Sequence, residues 1–401
     1  MNLSRRRFFF LGSLALPPLA AAKSAPDRPN LLLILADGLP AMALKCYGGA
    51  DFHTPNIDQL SESGVFLREH FSASPSAGPG RASLLTGRTP MQLGGGESIP
   101  SDEFSLARIL GAAGYACLAA DMGSSDSVTA QTLKFIDDQT SGHPFFLTAG
   151  FTDLTPPYDG VAQKYRDLYA KTVFEPFYPI APPSPAARAG KEMLADPIAS
   201  LRKAAAAVSA LDDRVGAIVA HLRQRQLLDN TVVVFTATCG ALFGKHGLWG
   251  AGDSSSPVNM FEESVRTPLI FRWPLKLPPQ TSRPESIGSC DFLPTICDLT
   301  GAALPAKNLP GRSYLPLLLG KPLPAKKPWP KAVFSRLGDT DMCRDSLFKL
   351  ILRDDGKEPG EFYDLQSDPK EATNGYEDGQ FASIRPQLQA EIAKWKKQYS
   401  A

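Results

Sequence analysis

A chain of 401 residues, 43% hydrophobic and 21% charged, has the composition of a globular protein with room for one large domain and a smaller one. Its formal net charge of +1 gives no strong field, which excludes partners held by bulk charge, nucleic acid among them. Residues 1–25 read as a twin-arginine export signal. Ser4-Arg5-Arg6-Arg7-Phe8-Phe9 is its basic start, an apolar stretch runs over 8–22, and small residues up to Ala25 offer cleavage sites. The apolar stretch carries Gly12, Pro17 and Pro18 and is short for a membrane span. The expectation is therefore folded export to the periplasm or beyond with no stable membrane span, the alternative being an uncleaved anchor. Removing residues 1–25 takes away four cations and no acid, which brings the charge to −3.

Past the signal, the unbroken apolar run over 30–36 predicts a buried strand of a parallel sheet. Thr54-Pro55-Asn56 predicts a helix to Leu60, with Thr54 as N-cap and Pro55 in its first turn. A strand follows over 65–70, then an amphipathic helix over 105–113 closed by Gly114. Further strands are predicted over 115–120 and 144–151, with a helix over 129–138 between them. The Pro- and Ala-rich segment 174–197 reads as loop, and a long helix spans about 198–225. Strands at 231–236 and 267–271 follow, then Pro-rich stretches at 274–284 and 305–330. Three short strands near 333, 348–352 and 361–363 precede a last helix over about 384–399. Strands alternating with helices argue for an α/β fold with helices on both sheet faces, followed by a small α+β unit. The boundaries are set at 26–325 for the large domain and 326–401 for the C-terminal subdomain.

The six cysteines have no metal-ligand spacing. Cys46, Cys117, Cys290 and Cys297 sit among apolar residues and read as buried packing thiols, although an exported chain can pair some of the six.

Arg81-Ala82-Ser83-Leu84-Leu85-Thr86-Gly87-Arg88 resembles the signature of the sulfatases, within the alkaline phosphatase superfamily. Similar in order and spacing are Arg28-Pro29-Asn30 with Asp37, Cys46-Tyr47-Gly48, Thr54-Pro55-Asn56-Ile57-Asp58, Leu211-Asp212-Asp213-Arg214-Val215-Gly216 and His246-Gly247-Leu248-Trp249. Glu262 to Ile270, Asp291-Phe292-Leu293-Pro294-Thr295 and Glu361-Phe362-Tyr363-Asp364-Leu365 extend the resemblance over nearly the whole mature chain. It implies a large mixed sheet flanked by helices and a smaller C-terminal sheet. It also implies, in active members, a formylglycine made from Cys or Ser beside a calcium ion.

Against that pattern the chemical residues differ. The Cys/Ser-x-Pro-Ser-Arg motif falls on Ala77-Gly78-Pro79-Gly80-Arg81, so the nucleophile position is Ala77, whose methyl group cannot attack. Ser76 lies one residue away. Two adjacent aspartates after the first strand become Asp37 and Gly38, and two ligands after the later strand become Thr238 and Cys239. A calcium ion, which wants six to eight oxygens, is expected only where that set is intact; no cofactor is predicted here. Thr155 stands for a histidine and Ala251 for a lysine. A Lys-Trp-His segment is missing around Ala119-Ala120-Asp121-Met122-Gly123. Arg81 and Asp37 are retained, the latter as a strand-end acid paired with Arg81 or as part of a residual cation site. Cys239 reads as a small buried filler or as a soft ligand, and His246 as a packing residue of a turn. The resulting expectation is an exported sulfatase-family pseudoenzyme that binds a sulfated carbohydrate or a protein partner. The alternative is a sulfuric or phosphoric ester hydrolase with a rearranged site built from Ser76, Asp121, Thr155 and Cys239.

Overall fold

The computed structural model describes residues 28–121, 123–139, 142–177, 180–323 and 328–400. The export signal therefore lies outside the described residues, and so does the expected domain boundary at 325/326. Seven strands form the large sheet: β1 (Asn30–Ala36), β2 (Val65–Phe71), β3 (Ala116–Ala120), β4 (Phe145–Phe151), β5 (Thr231–Ala237), β6 (Leu269–Arg272) and β7 (Thr281–Gly288). Their order is β3-β4-β1-β5-β6-β2-β7. β1 lies between β4 and β5 and is parallel to both, whereas β6 runs against its two neighbours.

β1 shows why the sheet needs helices on both faces. Leu32, Ile34 and Ala36 pack into one hydrophobic cluster with the helices Pro55–Glu62, Ser125–Asp137 and Pro197–Gln224. Leu31, Leu33 and Leu35 pack into another with the helices Ala77–Thr86, Leu106–Ala112 and Phe292–Thr300. Alternate side chains leave opposite faces of a strand, so a strand apolar at every position is buried on both.

The second sheet is antiparallel: β8 (Val333–Leu337), β9 (Thr340–Arg344), β10 (Phe348–Arg353) and β11 (Glu358–Asp364), in the order β11-β10-β9-β8. The helix Arg385–Tyr399 covers one face through Leu388 and Ile392, and Trp395 stacks on Phe334 at 5.0 Å. The other face meets Phe71, Met260 and Val265 of the large domain. Ion pairs cross the same boundary. Lys349 is fully buried between Glu262 (2.8 Å) and Glu371 (2.7 Å), and Arg344 reaches Glu69 (2.8 Å).

The structure departs from the sequence expectations in four places. β9 is a strand that the sequence does not announce, fully buried despite its polar Thr340 and Asp341. β7 begins inside the Pro-rich stretch 274–284 and runs beyond it; as an edge strand it tolerates Pro284. Cys117 is exposed rather than buried, because β3 forms the other edge of the sheet. Thr54 sits at the N-cap of its helix but its side chain makes no capping bond. The carboxylate of Asp212, from the middle of the long helix, takes that place: Oδ1 accepts from the Ile57 N–H at 2.8 Å and Oδ2 from the Asn56 N–H at 3.1 Å. Asn56 also donates its side-chain amide to Asp212 Oδ2 at 2.7 Å and lies against Gly216, where a Cβ would stand 2.4 Å from Asn56 Oδ1. Asp212 and Gly216 thus serve helix packing. All six cysteines are free thiols.

Candidate functional site

Ligands of α/β sheets gather outside the carboxyl ends of the parallel strands, and the retained residues lie there. Asp37 follows β1, Asp121 follows β3 and Thr238 follows β5. Asp37 is held by its own N–H, which donates to Phe151 O at 2.9 Å. Thr238 Oγ1 donates to Asp37 Oδ1 at 2.6 Å. Arg81 reaches across from its helix: Nη2 contacts Asp37 Oδ2 at 3.1 Å, and Nη1 contacts Asp121 Oδ2 at 3.2 Å. The pairing of Asp37 with Arg81 matches the reading from sequence; the second carboxylate on the same guanidinium was not foreseen.

The segment from Ala77 onward is helical. Ser76 is extended, and Ala77–Thr86 is a helix with Pro79 in its first turn and Gly87 closing it in the left-handed region. Ala77 is the first helical residue and Arg81 lies one turn further on, so the helix aims Arg81 at the strand ends. Gly80 is pressed against Thr238: a Cβ there would lie 2.2 Å from Thr238 O, and Ser72 Oγ already donates to that oxygen at 2.6 Å. Gly78 faces Glu97 as closely, with a virtual Cβ 2.0 Å from its carboxylate oxygen.

The remaining candidates are dispersed. Ser76, almost fully buried, donates to Asp253 Oδ2 at 2.7 Å. Ala251 is half-buried in the same loop, next to Gly252, which packs on Pro75. Thr155 is exposed and donates to Thr152 O at 3.2 Å. Gly38 has φ +74°, a conformation that suits glycine. Cys239 is buried, and burial, followed by the nearby charge of Asp37, pushes its thiol up to about 12. It is a neutral thiol at physiological pH rather than a thiolate ligand. His246 stacks on Phe261 at 3.6 Å and its Nε2 lies 3.5 Å from Glu263 Oε2, so it is a packing residue of its turn.

A calcium ion does not fit these groups. Among the described residues no cluster of three or more His, Cys, Asp or Glu could hold a metal. Both oxygens of Asp37 already face Arg81 and one of them also accepts from Thr238, so the acid that would have to ligate the ion is committed to a side-chain cation.

Comparison with known proteins assigns the scaffold. The sulfatase family model matches residues 29–121 and 117–302, and a model described as N-sulphoglucosamine sulphohydrolase, C-terminal, matches 258–398. The chain belongs to the sulfatase family. The sulfatase match comes in two segments that overlap over residues 117–121, which include Asp121. The N-acetylglucosamine-6-O-sulfatase of Bacteroides thetaiotaomicron is 22% identical over 94% of this chain and 88% of its own length. Bovine (Bos taurus) arylsulfatase A is 31% identical over 75% of this chain and 70% of its own. Among solved structures, one described as in complex with its substrate D-glucosamine-2-N,6-O-disulfate superposes with a TM-score of 0.80 at 20% identity, covering 93% of this chain and 98% of that one. The phosphonate monoester hydrolase of Agrobacterium radiobacter gives 0.78 at 19%, covering 93% and 96%. The fold expected from sequence, a mixed sheet with a small antiparallel C-terminal sheet, is the one observed. Sequence reasoning missed how Asp121 is used and missed Gly150 altogether. A Cβ on Gly150, in β4, would stand 2.8 Å from Asp121 Cβ and 3.3 Å from Arg81 Nη1. An acid directly after a predicted strand was the available signal for Asp121; nothing local marked Gly150.

Proposed function

We propose that this chain is an exported, non-hydrolytic member of the sulfatase family that binds a sulfated carbohydrate through the preserved scaffold. The observation that carries this reading is Ala77 at the start of the helix where the family's nucleophile motif falls, one turn before an Arg81 already shared by two carboxylates. Without a nucleophile no covalent step begins. With the guanidinium neutralised by Asp37 and Asp121, a developing negative charge lacks the electrostatic stabilisation that is usually the largest catalytic contribution. The relatives favour a carbohydrate over a protein partner: one acts on an N-acetylglucosamine 6-O-sulfate and one was solved with a disulfated glucosamine.

The purified mature chain is assayed with an aryl sulfate and with 6-O-sulfated N-acetylglucosamine, each with calcium. No turnover above the no-protein blank is expected; clear turnover overturns the reading. Binding is measured by calorimetry with sulfated and desulfated heparan oligosaccharides, and absence of binding to both rejects the carbohydrate part. Export is tested on a reporter fusion, in which changing Arg5 and Arg6 to Lys should abolish translocation. The Ser76–Asp253 hydrogen bond is the one observation on the side of a rearranged hydrolase. That reading requires phosphate- or sulfate-ester turnover that disappears in Ser76→Ala.

A further inference from the structure

We propose that Arg81 is the resident cation of this site: its guanidinium takes the place of a divalent metal and ties the ends of β1, β3 and β5 to the helix Ala77–Thr86, with Asp121 as its second counter-ion. The inference rests on the reading that the family's metal site is not retained, and it adds what has replaced it. Three observations carry it. The two ends of one guanidinium meet two carboxylates on two strands, Asp37 at 3.1 Å and Asp121 at 3.2 Å, and Thr238 from a third strand donates to Asp37 at 2.6 Å. These groups are largely shielded, the side chains of Arg81, Asp37 and Asp121 being 21%, 11% and 28% exposed. The pairing is therefore less screened than a surface salt bridge.

The third observation is that the backbone has been opened for it. β4 lies between β1 and β3, and the guanidinium has to cross β4 to reach both carboxylates. It crosses at Gly150, the position where any Cβ would push into Arg81 Nη1 and Asp121. Gly80 likewise lets the helix approach Thr238 to within the reach of a single arginine. The strand-end acid that would otherwise demand a metal is neutralised by the chain itself. Asp121 follows the end of β3, within the overlap of the two segments of the family match. A cation fixed between two acids has little charge left for an incoming sulfate.

The test is thermal unfolding of the full mature protein with calcium chloride and with EDTA. Wild type should melt at the same temperature in both. Arg81→Ala leaves Asp37 and Asp121 without their cation; it should melt several degrees lower in EDTA and recover in calcium, and the response should vanish in the Arg81→Ala, Asp121→Asn double variant. Asp121→Asn alone, which keeps the shape of the side chain, should be destabilised yet indifferent to calcium. Should Arg81→Ala fail to fold, Asp121→Asn and wild type still decide. Calcium stabilisation of wild type overturns the proposal, and so does an Asp121→Asn variant as stable as wild type or a folded Arg81→Ala variant blind to calcium. The readout does not include catalysis, so turnover of an aryl sulfate would refute the functional reading and leave this one standing.

Discussion

Replacing Asp212 with alanine should cost about 4 kcal/mol of stability, a large effect for a residue remote from the strand ends. In the folded chain its carboxylate is fully buried and accepts from two backbone N–H groups at the start of the helix Pro55–Glu62 and from the Asn56 amide. Those N–H groups have no partner within their own helix, and Thr54 does not supply one. An N-cap acceptor contributes about 1 kcal/mol. Each buried donor left unsatisfied costs ~1–3 kcal/mol. The two stranded donors are the capped N–H groups themselves, so at about 2 kcal/mol each the loss lies near 4 kcal/mol. Burial raises the pKa of Asp212 above the ordinary carboxylate range, against the pull of the Ile57 and Asn56 hydrogen bonds. Part of the cost of holding a charge there is thus already present in the wild type. Asp212→Asn keeps one acceptor and turns a donor toward Asn56, so it should fall between wild type and alanine. Urea denaturation followed by far-UV circular dichroism gives the difference from the midpoint at constant slope, and the corresponding fall in Tm for a chain of this length is about 5 °C. A loss below about 1 kcal/mol for Asp212→Ala would refute the argument, because the helix start would then have another cap.

Three further outcomes are expected. Gly80→Ser, which restores the serine of the family motif, should destabilise by about 1–3 kcal/mol on a melting curve, because its Cβ meets Thr238 O at 2.2 Å; a neutral result would show that the helix can shift away. Burial lowers the pKa of His70 to about 3, with only Nδ1 bonded, to Thr267 Oγ1 at 2.7 Å. The unfolded chain therefore binds this proton first. Stability should be lost as pH falls from about 6.5 toward about 3, on the order of 5 kcal/mol in all, and His70→Asn should move the acid-unfolding midpoint to lower pH. Glu263 contributes over a lower window: the His246 hydrogen bond and the Lys245 charge outweigh burial and hold it at about 2, so its share is lost below about 4.5 in both proteins. An unchanged midpoint in His70→Asn would remove His70 from the account. Finally, Ala77→Cys expressed with a formylglycine-generating enzyme should remain without sulfatase activity, since Thr155 and Ala251 supply no cation and Arg81 is committed; calcium-dependent turnover would contradict this.

The sequence by itself determined the scaffold. An apolar run such as 30–36 can satisfy both faces only inside a helix-covered parallel sheet, and motifs such as Cys46-Tyr47-Gly48 and Asp212 to Gly216 identified the family from local residue identity. It also determined that Ala77 carries no nucleophilic atom. Elements fixed by long-range pairing were less legible. β7 is a proline-bearing edge strand whose partner β2 lies far back in the chain, and β9, although paired with its chain neighbours β8 and β10, is too polar at Thr340, Asp341 and Arg344 for periodicity or propensity to mark it. The exposure of Cys117 depends on β3 being an edge strand, which is a property of strand order rather than of Ala116 to Ala120.

The same division holds at the site. Residue identity showed that Gly38, Thr238 and Cys239 differ from the family's ligand pattern. Only the tertiary structure decided what Arg81 does instead. Its two carboxylates lie 44 and 40 residues away in the chain and Thr238 is 201 residues from Asp37. Whether they meet depends on β3, β4, β1 and β5 ending on one edge of one sheet, and on Gly150 leaving the space between them. A charge can be read from a sequence, but its neutralisation is a distance, and distances of this kind exist only after folding has brought separate strands together.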